Sequence, residues 1–194
     1  TGDPRAGGQL DLITDSVGIS FGRPWCKDSV GTCYFFGSEG GLYSMSPSQG
    51  LKNLSVGRVG RQMQNIDLAA NYVNLVWNYL DEGVHIFVIP FADYGASGYG
   101  DIREHWFYDA RNNAFHKDQF GNATNDNVQP TAAIQVNGDL FDDRVVMLGG
   151  PDGRIRRWGR DSSGNIPSDD QQTSTSVTVA IDSYVTAGPL TSVS

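Results

Sequence analysis

Short runs of β-branched and aromatic residues, each ended by a cluster of Gly, Asp or Asn, recur along the whole of this chain. They fall at residues 17–21, 32–36, 42–45, 72–80, 84–91, 104–108, 132–136, 144–148, 154–158, 176–181 and 184–187. Such punctuation leaves no room for an apolar stripe at helical spacing. The best helical candidate, residues 62–70, places Met63 and Ile66 on one side for a turn or so. The expected fold class is all-β, built from antiparallel strands.

Composition narrows the function classes. A chain of 194 residues fits one domain or a tightly joined pair, and it can bury about two-thirds of its unfolded surface. Aromatic residues at 11% are too many for a disordered chain. With 14 Lys and Arg against 22 Asp and Glu, the net charge is −8, which argues against a grip on nucleic acid. No run of 18 apolar residues suggests a membrane span. The start at Thr1-Gly2-Asp3-Pro4, without Met or a leader pattern, suggests a processed product or a piece of a longer chain. Residues 1–8 read as a flexible linker.

Internal repetition is the most informative pattern. Phe36-Gly37-Ser38-Glu39-Gly40-Gly41-Leu42-Tyr43 can be set over Leu148-Gly149-Gly150-Pro151-Asp152-Gly153-Arg154-Ile155, with Gly37 on Gly149 and Gly41 on Gly153. Both read as apolar strand, Gly, acidic turn, Gly, strand. Residues 84–90 and 104–108 look like the same strand pair with a longer connection. Residues 9–170 therefore divide into about three units. Each is preceded by its own apolar strand, at 17–21, 72–80 and 132–136.

Antiparallel units of this kind resemble β-propeller blades, and the Gly–acidic–Gly–Leu–Tyr hairpin resembles that of quinoprotein-type and WD-type blades. The resemblance spans roughly residues 17–158, without the Trp-Asp and Gly-His pairs of the WD repeat. A β-sandwich is the alternative architecture. Propellers typically carry four or more blades, so three units imply completion by other chains. The segment 171–194 then completes a blade or pairs with a neighbour. Within it, Ser176-Val-Thr-Val-Ala-Ile-Asp-Ser-Tyr-Val-Thr-Ala-Gly-Pro-Leu190 resembles segments of propeller-like structural proteins of bacteriophage tails. That resemblance implies a virion component that catalyses nothing; an extracellular protein is the alternative.

Residues able to carry chemistry are sparse. His85, His105 and His116 form no His-x-His or helical pair and read as structural. The adjacent carboxylates Asp81-Glu82, Asp142-Asp143 and Asp169-Asp170 lie in predicted turns, where Asp serves the backbone. No nucleophile elbow or phosphate loop occurs, and no cofactor or metal is implied. For binding, Tyr94 and Tyr99 sit in a Gly- and Ser-rich loop. With Trp106 and Trp158 they could form stacking platforms for a glycan. Arg154, Arg156 and Arg157 form a basic cluster that could meet an acidic neighbour in an assembly. Cys26 and Cys33 could close a disulfide across a hairpin or stand as unpaired small residues on facing strands.

These readings converge on a non-enzymatic structural or interaction module, with other protein chains as partners in a homo- or hetero-oligomer. A carbohydrate-binding propeller is the alternative. A fragment of a propeller hydrolase or quinoprotein, using carboxylates such as Asp142 and Asp143, is the third reading.

Overall fold

Wherever Gly and Asp turns separate the apolar runs, consecutive strands fold back on one another. The computed structural model describes residues 14–91, 105–118, 120, 130–139, 144–150 and 153–158 in full, and the backbone of 170–171, 178–179 and 183–186. Within them the chain is all-β apart from the single-turn helix α1 (Gly60–Gln64), in several antiparallel sheets.

Three antiparallel meanders follow one another. The first runs β2 (Trp25–Lys27), β3 (Cys33–Phe36), β4 (Leu42–Ser46), β5 (Gly50–Asn53). The second runs β6 (Asn71–Asn78), β7 (Gly83–Pro90), β8 (His105–Asp109), β9 (Ala114–Asp118). It is flanked by β1 (Gly22–Arg23), parallel to β6, and by β15 (Ser183–Thr186), antiparallel to β9. The third is β10 (Ala132–Val136), β11 (Val145–Gly149), β12 (Ile155–Trp158). A separate pair, β13 (Asp170–Gln171) and β14 (Thr178–Val179), stands in its own sheet. β2 and β10 both pack against β6, so the first strands of the three meanders gather together. The described meanders close no ring.

The meanders pack face to face with the second in the middle. One face of the second sheet presents Val73, Leu75, Trp77, Val84, Ile86, Trp106, Tyr108 and Phe115. These meet Cys26, Tyr34, Phe36 and Leu42 of the first, with Met63 of α1 beside them. The opposite face presents Val76, Phe87 and Ile89 to Ala133, Val146 and Leu148 of the third. Strand β7 is therefore buried on both sides over residues 83–89, and its nearly unbroken apolar sequence follows from that position. Each fully enclosed Val, Leu or Phe contributes roughly 2 kcal/mol of hydrophobic stabilisation.

Several expectations need correction. The run at 17–21 is not the first strand of the first unit; it makes only a bridge, Ile19 to Gly37, and β2 takes that place. Strands β5 and β9 stand out poorly in the sequence because they are the fourth strands and alternate polar with apolar residues. The repeat alignment also shifts by one residue. Gly37 N–H bonds Gly41 C=O at 2.9 Å and Gly40 N–H bonds Gly37 C=O at 3.1 Å. The same two bonds join Gly150 N–H to Arg154 C=O at 3.0 Å and Gly153 N–H to Gly150 C=O at 3.1 Å. Gly37 thus corresponds to Gly150 and Gly40 to Gly153, with φ of 85° and 74° at the latter two. A β-carbon is strained in that conformation, and at Gly40 it would also lie 2.6 Å from the Met63 carbonyl oxygen. A one-residue shift exchanges the faces of a strand, so Ile155 corresponds to Leu42 and not to Tyr43.

Candidate functional site

The faces that the meanders turn away from one another are the surfaces to account for first. On the first sheet, register places Trp25, Phe35 and Tyr43 on one outward face with Cys33, Met45 and Leu51. Phe35 stacks on Tyr43 with centroids 5.3 Å apart, and Trp25 is 47% exposed. On the third sheet the outward face carries Ile134, Val136, Met147 and Ile155, with Ile134 51% and Ile155 73% exposed. Isolated exposed apolar side chains need no explanation, but contiguous sets on sheet faces mark contact surfaces.

The aromatic residues expected to stack on sugars occupy other places. Trp106 is 1% exposed in the first interface, where its ring offers no face to a ligand; the stacking role is corrected for it. Trp158 is half-buried, its ring against His85 at 4.9 Å and Phe120 at 5.6 Å. Tyr94 and Tyr99 lie outside the described residues, as do Asp142, Asp143 and Asp169. Of the basic cluster, Arg156 shares the inward face of β12 with Trp158. Arg157 stands with Ile155 on the outward face, and Arg154 is exposed at the hairpin.

Cys26 and Cys33 are free thiols. Cys26 pairs with Tyr34 and Cys33 with Lys27, so the two sulfurs project from opposite faces of the hairpin. Of the two expectations, the disulfide is therefore corrected to unpaired thiols. Burial pushes the Cys26 thiol well above its ordinary range, reinforced by the neighbouring Cys33 and Asp28. Cys33 is raised too, again by burial, with Lys27 opposing. The turn between the strands is held by Asp28, whose Oδ1 accepts from Val30 N–H at 3.0 Å and Thr32 N–H at 2.8 Å.

Between the second and third sheets lies a buried polar network that elementary sequence reading could not assemble. Asn78 Oδ1 accepts from the backbone N–H of Leu80 at 3.0 Å, which fixes its amide orientation. Its Nδ2 then donates to Asp81 Oδ2 at 2.9 Å and to His85 Nε2 at 3.1 Å. His85 must accept there, leaving Nδ1–H to donate to Asp118 Oδ2 at 2.9 Å. The ring is 2% exposed, and both nitrogens are engaged. An Asp–His pair can orient a general base, but this imidazole has no free lone pair for a substrate proton. The network positions β6, β7 and β9 relative to one another. His105 is buried as well, its Nδ1 accepting from Val88 N–H at 3.2 Å.

A cleft of about 580 Å³ opens between the first sheet and the β8–β9 turn, lined by Thr32, Tyr34, Ser44, Lys52, Tyr108 and Asn113 among others. Its phenols are tied down: Tyr34 donates to Asp28 and Tyr108 to Asn113, which also accepts from Arg58. Burial raises both phenols above their ordinary range. At the same turn, burial pushes the Asp109 carboxyl up. Bonds from Asn112 and Arg111 outweigh that and hold it below the usual carboxylate range. No group of three potential metal ligands occurs among the described residues.

Compared with known proteins, the chain matches no family model, no curated sequence and no solved structure.

Proposed function

We propose that this chain is a non-enzymatic structural module that works by assembling with other protein chains into a β-propeller-like body, such as a component of a virion tail. One observation carries the reading: each outward face of the sheet stack leaves large apolar side chains exposed, Trp25 on the first meander and Ile134, Val136 and Ile155 on the third. Inside the chain, faces of the same character are covered by the neighbouring meander. Leaving Trp25, Ile134, Val136 and Ile155 in water forgoes stabilisation that the inner faces obtain. The gathering of β2, β6 and β10 along one side suits blades arranged about an axis. The glycan-binding alternative draws no support from Trp106, which is sealed inside, and the half-buried Trp158 ring is packed against His85 and Phe120.

The test is the solution mass of the 194-residue chain by light scattering, with negative-stain images. A ring-shaped or elongated assembly of several copies, or solubility gained only with a partner chain, supports the module. A compact monomer that binds no hydrophobic dye would overturn it.

A further inference from the structure

The two open faces are the separated halves of an interface that the chain already builds internally. Through the hairpin bonds, Ile155 is the counterpart of Leu42 and Gly149 the counterpart of Phe36. Leu42 and Phe36 lie on the face by which the first meander packs on the second. The outward face of the third meander, with Ile134, Met147 and Ile155, is therefore the corresponding face, and among the described residues no following meander lies on it. The outward face of the first meander is, by the same logic, one on which no preceding meander lies among the described residues. Stacking that continues in the direction already used twice sets a third meander against a first meander.

We propose that the occupant of each open face is a second copy of this chain, docked head to tail. Ile134, Met147 and Ile155 of one copy would lie against the exposed Trp25 and half-buried Tyr43 of the next, which cover the already buried Phe35. This rests on the reading of the chain as an assembling module, and it names the partner and the two surfaces. Both faces are apolar and are rows of a pleated sheet, suited to packing about 10 Å apart. The cations on them do not meet: Lys27 is on β2, at the gathered side, and Arg157 is on β12. A contact between two different faces closes a ring where the rotation permits and otherwise extends a filament.

The contact is tested with two single substitutions in the full chain, Ile155→Asp and Trp25→Asp, measured by analytical ultracentrifugation. Both side chains are exposed, so folding should survive; circular dichroism checks this, and Ile134→Lys serves as an independent block of the third meander. The wild-type chain is expected at twice the monomer mass or more. Each variant alone should sediment as a monomer, and an equimolar mixture should regain a dimer, since one intact pair of faces remains between them. A dimer of Ile155→Asp alone would mean that like faces pair, overturning the head-to-tail contact while leaving the module intact. A wild-type monomer at ~100 μM, above the affinity range of standard-sized interfaces, that binds a hydrophobic dye would overturn self-assembly but not docking of another chain. A monomer with both faces protected from the dye would overturn both.

Discussion

The first and second meanders meet through large side chains with no polar network between them, whereas the second and third meet through aromatic rings, among them Phe87, Phe120 and Trp158, gathered around a hydrogen-bonded histidine. In the first interface Tyr34 stacks on Trp77 at 5.6 Å and approaches Tyr108 at 6.2 Å, while Trp106, Phe36, Phe115 and Met63 are sealed off. The indole N–H groups of Trp77 and Trp106 find no acceptor among the described residues, a cost the area buried around them outweighs. In the second interface the third meander supplies Ala133, Val146 and Leu148, with Trp158 at the margin. Asn78, His85 and Asp118 take space there that apolar atoms would otherwise fill. Dry aromatic packing supplies stability, and a satisfied polar network supplies registry. The two interfaces thus differ in polar content, and the third meander carries one of the two outward faces.

The largest expected effect separates the two interfaces directly. Trp106→Ala empties the centre of the first and should cost about 4 kcal/mol, while Leu148→Ala in the second should cost about 2 kcal/mol, near the lower limit for such truncations. Chemical denaturation of both variants checks the difference. Equal losses would show that the two interfaces are equally tight, and the contrast would fail.

Removing the network's acceptor comes next. Asp118→Ala strands the Nδ1–H of a buried His85 and should cost about 2 kcal/mol, whereas Asp118→Asn keeps an acceptor and should cost about 1 kcal/mol. The same denaturation curves read this. Should the alanine variant lose no more than the asparagine one, the Nδ1–H bond contributes nothing.

How much of this was legible beforehand depended on which interactions decide each element. Local signals sufficed for β10, whose bounds match the apolar run at 132–136, and for the β3–β4 hairpin with its glycines. They failed for β2, where three residues, Trp25–Lys27, are a strand only because β3 offers an edge. The hairpin correspondence failed because Gly40 and Gly41 are adjacent and both carry positive φ, so composition could not say which matches Gly153. The His85 network draws on residues 78, 81, 85 and 118, the last brought in only by the strand order β7-β8-β9. Trp106 and Trp158 look alike as residue types; whether a tryptophan faces a neighbouring sheet or a ligand is settled by packing.

The smallest effect leaves stability untouched and reads the two interfaces through the cysteines. Cys26 lies inside the first interface and Cys33 on the outer face of the same sheet. Thiolate is the reactive form, and burial raises both thiols, so labelling should accelerate as pH rises and Cys33 should react first. Cys26 should react only when the first interface opens, on the order of 100-fold slower or more, because labelling then follows the population of the open state. Leu148→Ala loosens the other interface, so it should leave the Cys26 rate unchanged if the third meander opens separately. Trp106→Ala should raise that rate sharply. Mass spectrometry of the labelled peptides distinguishes the sites. Acceleration of Cys26 by both variants would mean that all three meanders open together. An unreduced sample that takes up no label at either site, even when unfolded, would show the cysteines joined and refute the opposite-face geometry.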